Sequence, residues 1–183
     1  MRAALVLATG LVLAACAAGG VWISNGNYVS YSPSHFIYAA ADRDFLTKIR
    51  GNPFDEAPAG FQARVLDVLQ GAAFVPTRFT ATPDASARRD YFLVVLFNGP
   101  RGFHPQDLCR DADRVASDRT ARPIRFTLAF CHKGSAISTV EGRANATGST
   151  DPTLGRGLRQ AVVELLPREE VGNDIGICER RYC

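Results

Sequence analysis

The chain has 183 residues, five cysteines and a formal net charge of +3, with 46% hydrophobic and 21% charged residues. That apolar fraction, with charge nearly balanced, excludes a disordered chain, a collagen-like repeat and a coiled coil, and the length suits one domain with its own core. So small a charge gives no reason to expect nucleic acid as a partner. Only Lys48 and Lys133 among the basic residues are lysines, an arginine bias that genome composition explains as well as binding does.

Met1-Arg2 supplies a positive charge, Ala3 to Leu13 is an apolar run broken only by Thr9 and Gly10, and small residues follow. This is the order of a secretory signal. The uncharged stretch Ala3–Ala18 falls short of the roughly 20 residues of a bilayer span. Leu13-Ala14-Ala15-Cys16 resembles the bacterial lipobox. The resemblance implies that Cys16 is acylated on its thiol and becomes the first residue of the mature chain, holding it to a membrane through lipid. Ala17, in place of the aspartate that favours inner-membrane retention in such lipoproteins, implies the outer membrane, facing the periplasm. The alternative is an ordinary signal cut at a nearby small residue, with Cys16 incidental. The expected division is a signal peptide over 1–15, a lipid-anchored tether over 16–34, a domain over 35–167 and a tail over 168–183.

Within the tether, Asn25-Gly26 offers a hairpin turn between Val21–Ile23 and Tyr28–Tyr31. Trp22, Tyr28 and Tyr31 stand near the anchor as candidate interfacial aromatics. His35–Ala40 has strand composition, and Phe45, Thr47 and Ile49 alternate in a second strand to Arg50. Phe61, Val65, Val68 and Leu69 define a helix over Pro58–Gln70, closed by Gly71. Thr77–Thr82 alternates weakly. Tyr91–Phe97 is apolar throughout and predicts a central strand buried on both faces. Pro105–Ala116 holds a short helix with Leu108, Ala112 and Val115 on one side. Ile124, Phe126, Leu128 and Phe130 form the inward face of a strand that turns at His132–Ser135 and returns over Ala136–Gly142. Asp151 caps a last helix with Pro152 at N1, and Leu154, Leu158, Ala161, Val162 and Leu165 on one face. Gly155 and Gly157 weaken that helix, and Pro167 stops it.

This order predicts an α+β two-layer sandwich: an antiparallel or mixed sheet of about five to six strands with two main helices on one face. The strand–helix–strands–helix order, ending in Leu166-Pro167, resembles that of a broad group of small bacterial lipoproteins without known activity. The resemblance implies a fold and a compartment and no mechanism.

With Cys16 lipidated, Cys109, Cys131, Cys178 and Cys183 remain, an even number for an oxidising compartment. Three pairings are possible. The two local ones, Cys109–Cys131 and Cys178–Cys183, are favoured by proximity in sequence. A zinc site from Cys109, Cys131, His132 and Cys178 lacks the paired Cys-x-x-Cys spacing.

No nucleophile elbow, His-Glu-x-x-His helix or phosphate-binding glycine loop is present. Gly155-Arg156-Gly157 reads as a helix packing site. The acidic run Asp107, Asp111, Asp113, Asp118 is interleaved with Arg110, Arg114 and Arg119 and reads as a solvated charged face, without the glycine turn of a calcium loop. Arg50-Gly51-Asn52-Pro53-Phe54 is a structural turn or, alternatively, a binding loop. His104 with Asp107 and a serine, or His132, would be needed for a hydrolase, and presence alone does not make a triad. The expectation is a non-enzymatic envelope lipoprotein without cofactor or metal, attached to the membrane through Cys16, with another envelope protein as its possible partner. The alternatives, in order, are a module for a small ligand or lipid with a cavity lined by the phenylalanine-rich strand faces, and a hydrolase.

Overall fold

The structure, a computed structural model, describes residues 20–171 other than 113. Cys16, Cys178, Cys183 and Asp113 lie outside the described residues, as do the expected signal peptide and most of the expected tail. In chain order the described elements are β1 (Val21–Ile23), β2 (Asn27–Tyr28), α1 (Pro33–Ala40), β3 (Arg43–Arg50), α2 (Pro58–Leu69), β4 (Thr77–Thr80), β5 (Tyr91–Phe97), a 3-10 turn (Pro105–Asp107), α3 (Leu108–Asp111), β6 (Ile124–His132), β7 (Ser135–Ala144) and α4 (Pro152–Leu165).

The fold is α+β. Its sheet is mixed and open, in the order β1-β7-β6-β5-β3-β4, with β2 also on β7. β3 runs parallel to both β4 and β5, and β5, β6 and β7 form an antiparallel meander. A parallel neighbour requires a crossover, and α2 supplies it between β3 and β4. β5 is buried at all seven positions because β3 and β6 flank it and both of its faces are covered.

Two local readings change. His35–Ala40 is helix, not strand: Ser32 accepts the Ser34 amide at the N-cap, Pro33 takes an N-terminal position, and Phe36, Ala39 and Ala40 are buried at helical spacing. An N-cap serine before proline outweighs strand composition. Asn25-Gly26 is not a hairpin turn. β1 and β2 both run antiparallel to β7, with Val21 opposite Ala144 and Asn27 opposite Thr139. The register therefore steps by one residue between them, as at a bulge in an edge strand. The described part of the expected tether is thus the sheet's edge. Tyr28 and Tyr31 are drawn inward with it: their hydroxyls donate to the carbonyls of Glu164 and Pro167. Trp22 stays half exposed, at 51%.

One face of the sheet carries the large core. Phe61, Val65 and Leu69 of α2, Leu154, Leu158, Ala161, Val162 and Leu165 of α4, and Phe36 of α1 are buried in one cluster with Phe45, Leu93, Val95, Phe126 and Phe130. The rings of Phe36, Phe45 and Phe130 meet edge to face at 5.6–5.8 Å, the geometry their quadrupoles favour. Phe126 fits because Gly142 and Gly157 lack side chains. A Cβ would stand 2.2 Å from its ring at Gly142 and 3.1 Å at Gly157. Gly157 is therefore a packing site, whereas a Cβ on Gly155 would make only ordinary contact, 3.8 Å from Val68. The other face carries a second, smaller cluster of Phe92, Val94, Leu96, Ala129 and Cys131 beneath Leu108, Cys109 and Ala112.

Candidate functional site

The cover of that second face is a flap running from Asn98 to Pro123. Its middle is tied down covalently. Cys109 of α3 and Cys131 of β6 form a disulfide with their Cα atoms 5.6 Å apart, and Leu108 and Ala112 bury their side chains beside it. Gln106 adds a hydrogen bond to the Thr139 hydroxyl at 3.3 Å. The two ends of the flap diverge over the edge where β5 ends and β6 begins. Between them lies a groove of about 770 Å³, lined by Asn98, Arg101, Asp118, Arg122, Arg125, Arg143 and the backbone around them.

Asn98 organises the floor. It is buried, at 1% exposure, and adopts φ 46°, a left-handed conformation that asparagine tolerates better than most residues. Its amide donates to the Arg125 carbonyl at 2.8 Å, and its side-chain oxygen accepts the Arg125 amide at 2.8 Å. Its side-chain nitrogen donates to the Ala121 carbonyl (3.2 Å), and its own carbonyl accepts the Asp118 amide (2.9 Å). One residue thereby joins both ends of the flap to β6. Gly51 lets the neighbouring turn approach: a Cβ there would stand 2.3 Å from the Ser117 hydroxyl, which donates to the Phe97 carbonyl at 2.7 Å.

Cationic groups converge on this floor. The Arg122 guanidinium donates to the carbonyls of Arg119, Ala121 and Pro53. Arg125 donates to the Gly99 carbonyl at 3.0 Å. Arg143 lies over the Trp22 ring, 5.1 Å from its centre, a cation–π geometry. Arg125 and Arg143 are direct cross-strand partners on β6 and β7. The only acid of the lining, Asp118, accepts the Thr120 amide and hydroxyl at 2.8 Å each. Those bonds, more than the charge of Arg125, hold its carboxyl below the usual range. The ion pairs between described residues, Glu56–Arg64, Asp44–Arg78 and Asp107–Arg110, all lie outside the lining.

The residues singled out in the sequence are otherwise dispersed. His104 is exposed at the start of the 3-10 turn, and Asp107 directs its carboxylate to Arg110 at 2.6 Å. His132 lies at the other end of β6, stacked on Tyr91 at 4.2 Å, with His35 6.3 Å away. Its pKa is lowered by burial first and then by Lys133 and His35. Neither histidine side chain is hydrogen-bonded to a described carboxylate or hydroxyl, although the Asp90 charge acts on His132. Cys109 and Cys131 are bonded to each other, so they are not zinc ligands. Among the described residues no group of three His, Cys, Asp or Glu side chains is placed to hold a metal ion. The Arg50–Phe54 segment is a turn closed by the Asn52 side chain on the Phe54 amide (3.0 Å), with Phe54 buried against Phe61. Its carbonyls also receive Arg119 and Arg122, so it braces the groove from behind. The arginine assembly has no motif in the sequence. Its members come from a loop, a turn and two strands, and the arginine excess was its only local trace.

No family model matches the sequence, and no curated protein matches it. Among solved structures it is similar to the PelC dodecamer from Paraburkholderia phytofirmans, with a TM-score of 0.40, 14% identity, and 84% of this chain and 99% of that chain covered. It is likewise similar to a point variant of that protein, with a TM-score of 0.40, 13% identity, and 83% and 99% coverage. At that distance the likeness speaks to neither partner nor activity.

Proposed function

We propose that this chain is a lipid-anchored cell-envelope protein, acylated at Cys16 and exported, with a non-enzymatic, partner-binding role facing the periplasm from the outer membrane. The observation that carries the reading is the division of the thiols. Cys109 and Cys131 are bonded across the flap, as suits an oxidising compartment, and Cys16 stands alone behind Leu13-Ala14-Ala15. The start of the sheet agrees with a short anchor. β1 begins at Val21, five residues beyond Cys16, so at about 3.3–3.6 Å per residue the edge strand lies within roughly 18 Å of the acylated cysteine. The interior supports a binding surface over a ligand cavity, because Phe126, Phe130, Leu158 and Leu165 are all buried in one packed cluster. No described helix is long and apolar enough to cross a membrane.

Metabolic labelling with an alkyne fatty acid tests this. The wild-type chain takes up the label and fractionates with the outer membrane, and Cys16→Ser loses both. Label retained by Cys16→Ser removes the proposal.

A further inference from the structure

The arginine groove has a charge pattern that the fold does not explain. Four arginines, Arg101, Arg122, Arg125 and Arg143, line it with Asp118 as the one carboxylate, so a single negative charge, which acts on Arg125, stands against four positive ones. The carbonyl acceptors of Arg122 and Arg125 orient the guanidinium groups without neutralising them. Arg125 and Arg143 stand directly opposite each other on adjacent strands, a pairing of like charges that weakens a sheet, and Glu141, which lines the adjoining cleft with Arg125, supplies one negative charge against the two. The floor is rigid, because Asn98 bonds every polar group it has on that loop and strand. Pre-oriented cations on a rigid floor are how proteins hold an oxyanion.

We propose that this groove binds a phosphate-bearing ligand. A carboxylate brings one negative charge and two oxygens. A phosphate monoester brings a charge approaching −2 and three acceptor oxygens, which suits several guanidinium groups better. The volume, about 770 Å³, exceeds that of a bare phosphate and falls in the range of small-ligand sites. The ligand is thus an organic phosphate monoester, either soluble or presented as a lipid headgroup. The inference deepens the binding role proposed above and does not depend on acylation of Cys16.

Trp22 is the chain's single tryptophan and lies under Arg143, so its fluorescence reports the groove. The full-length chain, purified in detergent, is titrated with inorganic phosphate, glycerol 3-phosphate and succinate, with calorimetry as a second readout. The expected result is saturable binding of the two phosphates, weakened by salt, with succinate bound at least about tenfold more weakly. Arg125→Gln/Arg143→Gln weakens phosphate binding by about tenfold or more, and Arg159→Gln on α4 leaves it unchanged. Should the double variant fold poorly, the exposed Arg101→Gln serves instead. For the lipid source, the chain carrying Cys16→Ser is sedimented with vesicles containing phosphatidic acid, whose headgroup is a phosphate monoester, and with phosphatidylcholine vesicles. An arginine-dependent excess on phosphatidic acid assigns the headgroup, and its absence beside glycerol 3-phosphate binding assigns a soluble ester. No binding of any phosphate, equal binding of succinate, or affinity unchanged in the arginine variants overturns the site. Loss of fatty-acid labelling at Cys16 bears on the anchor alone.

Discussion

The two faces of this sheet are covered by different means. On one, three helices bury a continuous apolar cluster in which phenylalanine rings meet edge to face. On the other, one flap with a single turn of α-helix is held by a disulfide, a few apolar contacts and a polar network centred on Asn98. The first arrangement distributes its stability over many contacts. The second concentrates it in a few bonds and leaves charged groups at an open end. Structure that is not needed for the core is where a binding surface can form.

The largest loss of stability is expected at Phe130. It is fully buried and touches Phe36, Phe45, Tyr31 and Tyr91, so Phe130→Ala should cost about 3–5 kcal/mol in denaturant unfolding. Cys109→Ala/Cys131→Ala should cost about 3 kcal/mol through the released loop, whose ends are 22 residues apart. Its effect should also be local: limited proteolysis should open the flap while hydrogen exchange on α2 and α4 stays protected. Uniform loss of protection would show that the two faces are not independent.

The paired glycines of α4 sharpen the contrast within the core. Gly155→Ala should stabilise by about 1 kcal/mol through helix propensity, since a Cβ there meets nothing closer than 3.8 Å. Gly157→Ala should instead destabilise by about 1–2 kcal/mol, because the fully buried Phe126, 3.1 Å from the new Cβ, is held on its other side by Gly142 and has no space to retreat. Equal signs would refute the packing role.

The smallest effect concerns the α4 N-cap. Asp151 accepts the Thr153 amide first, and also that of Thr147, which lowers its pKa below the ordinary 3.8. A carboxyl whose folded pKa is depressed contributes stability that is present above its unfolded pKa and lost as pH falls through the folded one. Asp151→Ala should therefore lower the melting temperature slightly at neutral pH, with the difference shrinking below about pH 3.8.

Where periodicity and capping agreed, the sequence was readable. α2, α4, β5 and the β6–β7 hairpin lie where the spacing of Phe61, Leu158, Val95 and Phe126 puts them. α1 differs from the strand its composition predicts because six residues with aromatic and β-branched members fit a strand as well as a helix, and the deciding cap, Ser32, precedes them. β1 and β2 do not form the predicted hairpin, because an Asn-Gly pair looks the same at a bulge and at a hairpin. The difference lies in β7, more than a hundred residues away.

Composition, the signal pattern and helix caps are local properties, and they determined the α+β class, the expected compartment and most elements from sequence alone. The groove is not local. Arg101, Arg122, Arg125 and Arg143 are spread over a loop, a turn and two strands, and only the register of β6 on β7 sets Arg125 against Arg143. The tertiary structure decided that convergence. Strand register is fixed by burying Ile124, Phe126 and Phe130 on the opposite face, and a residue between them must then face the groove whatever its charge.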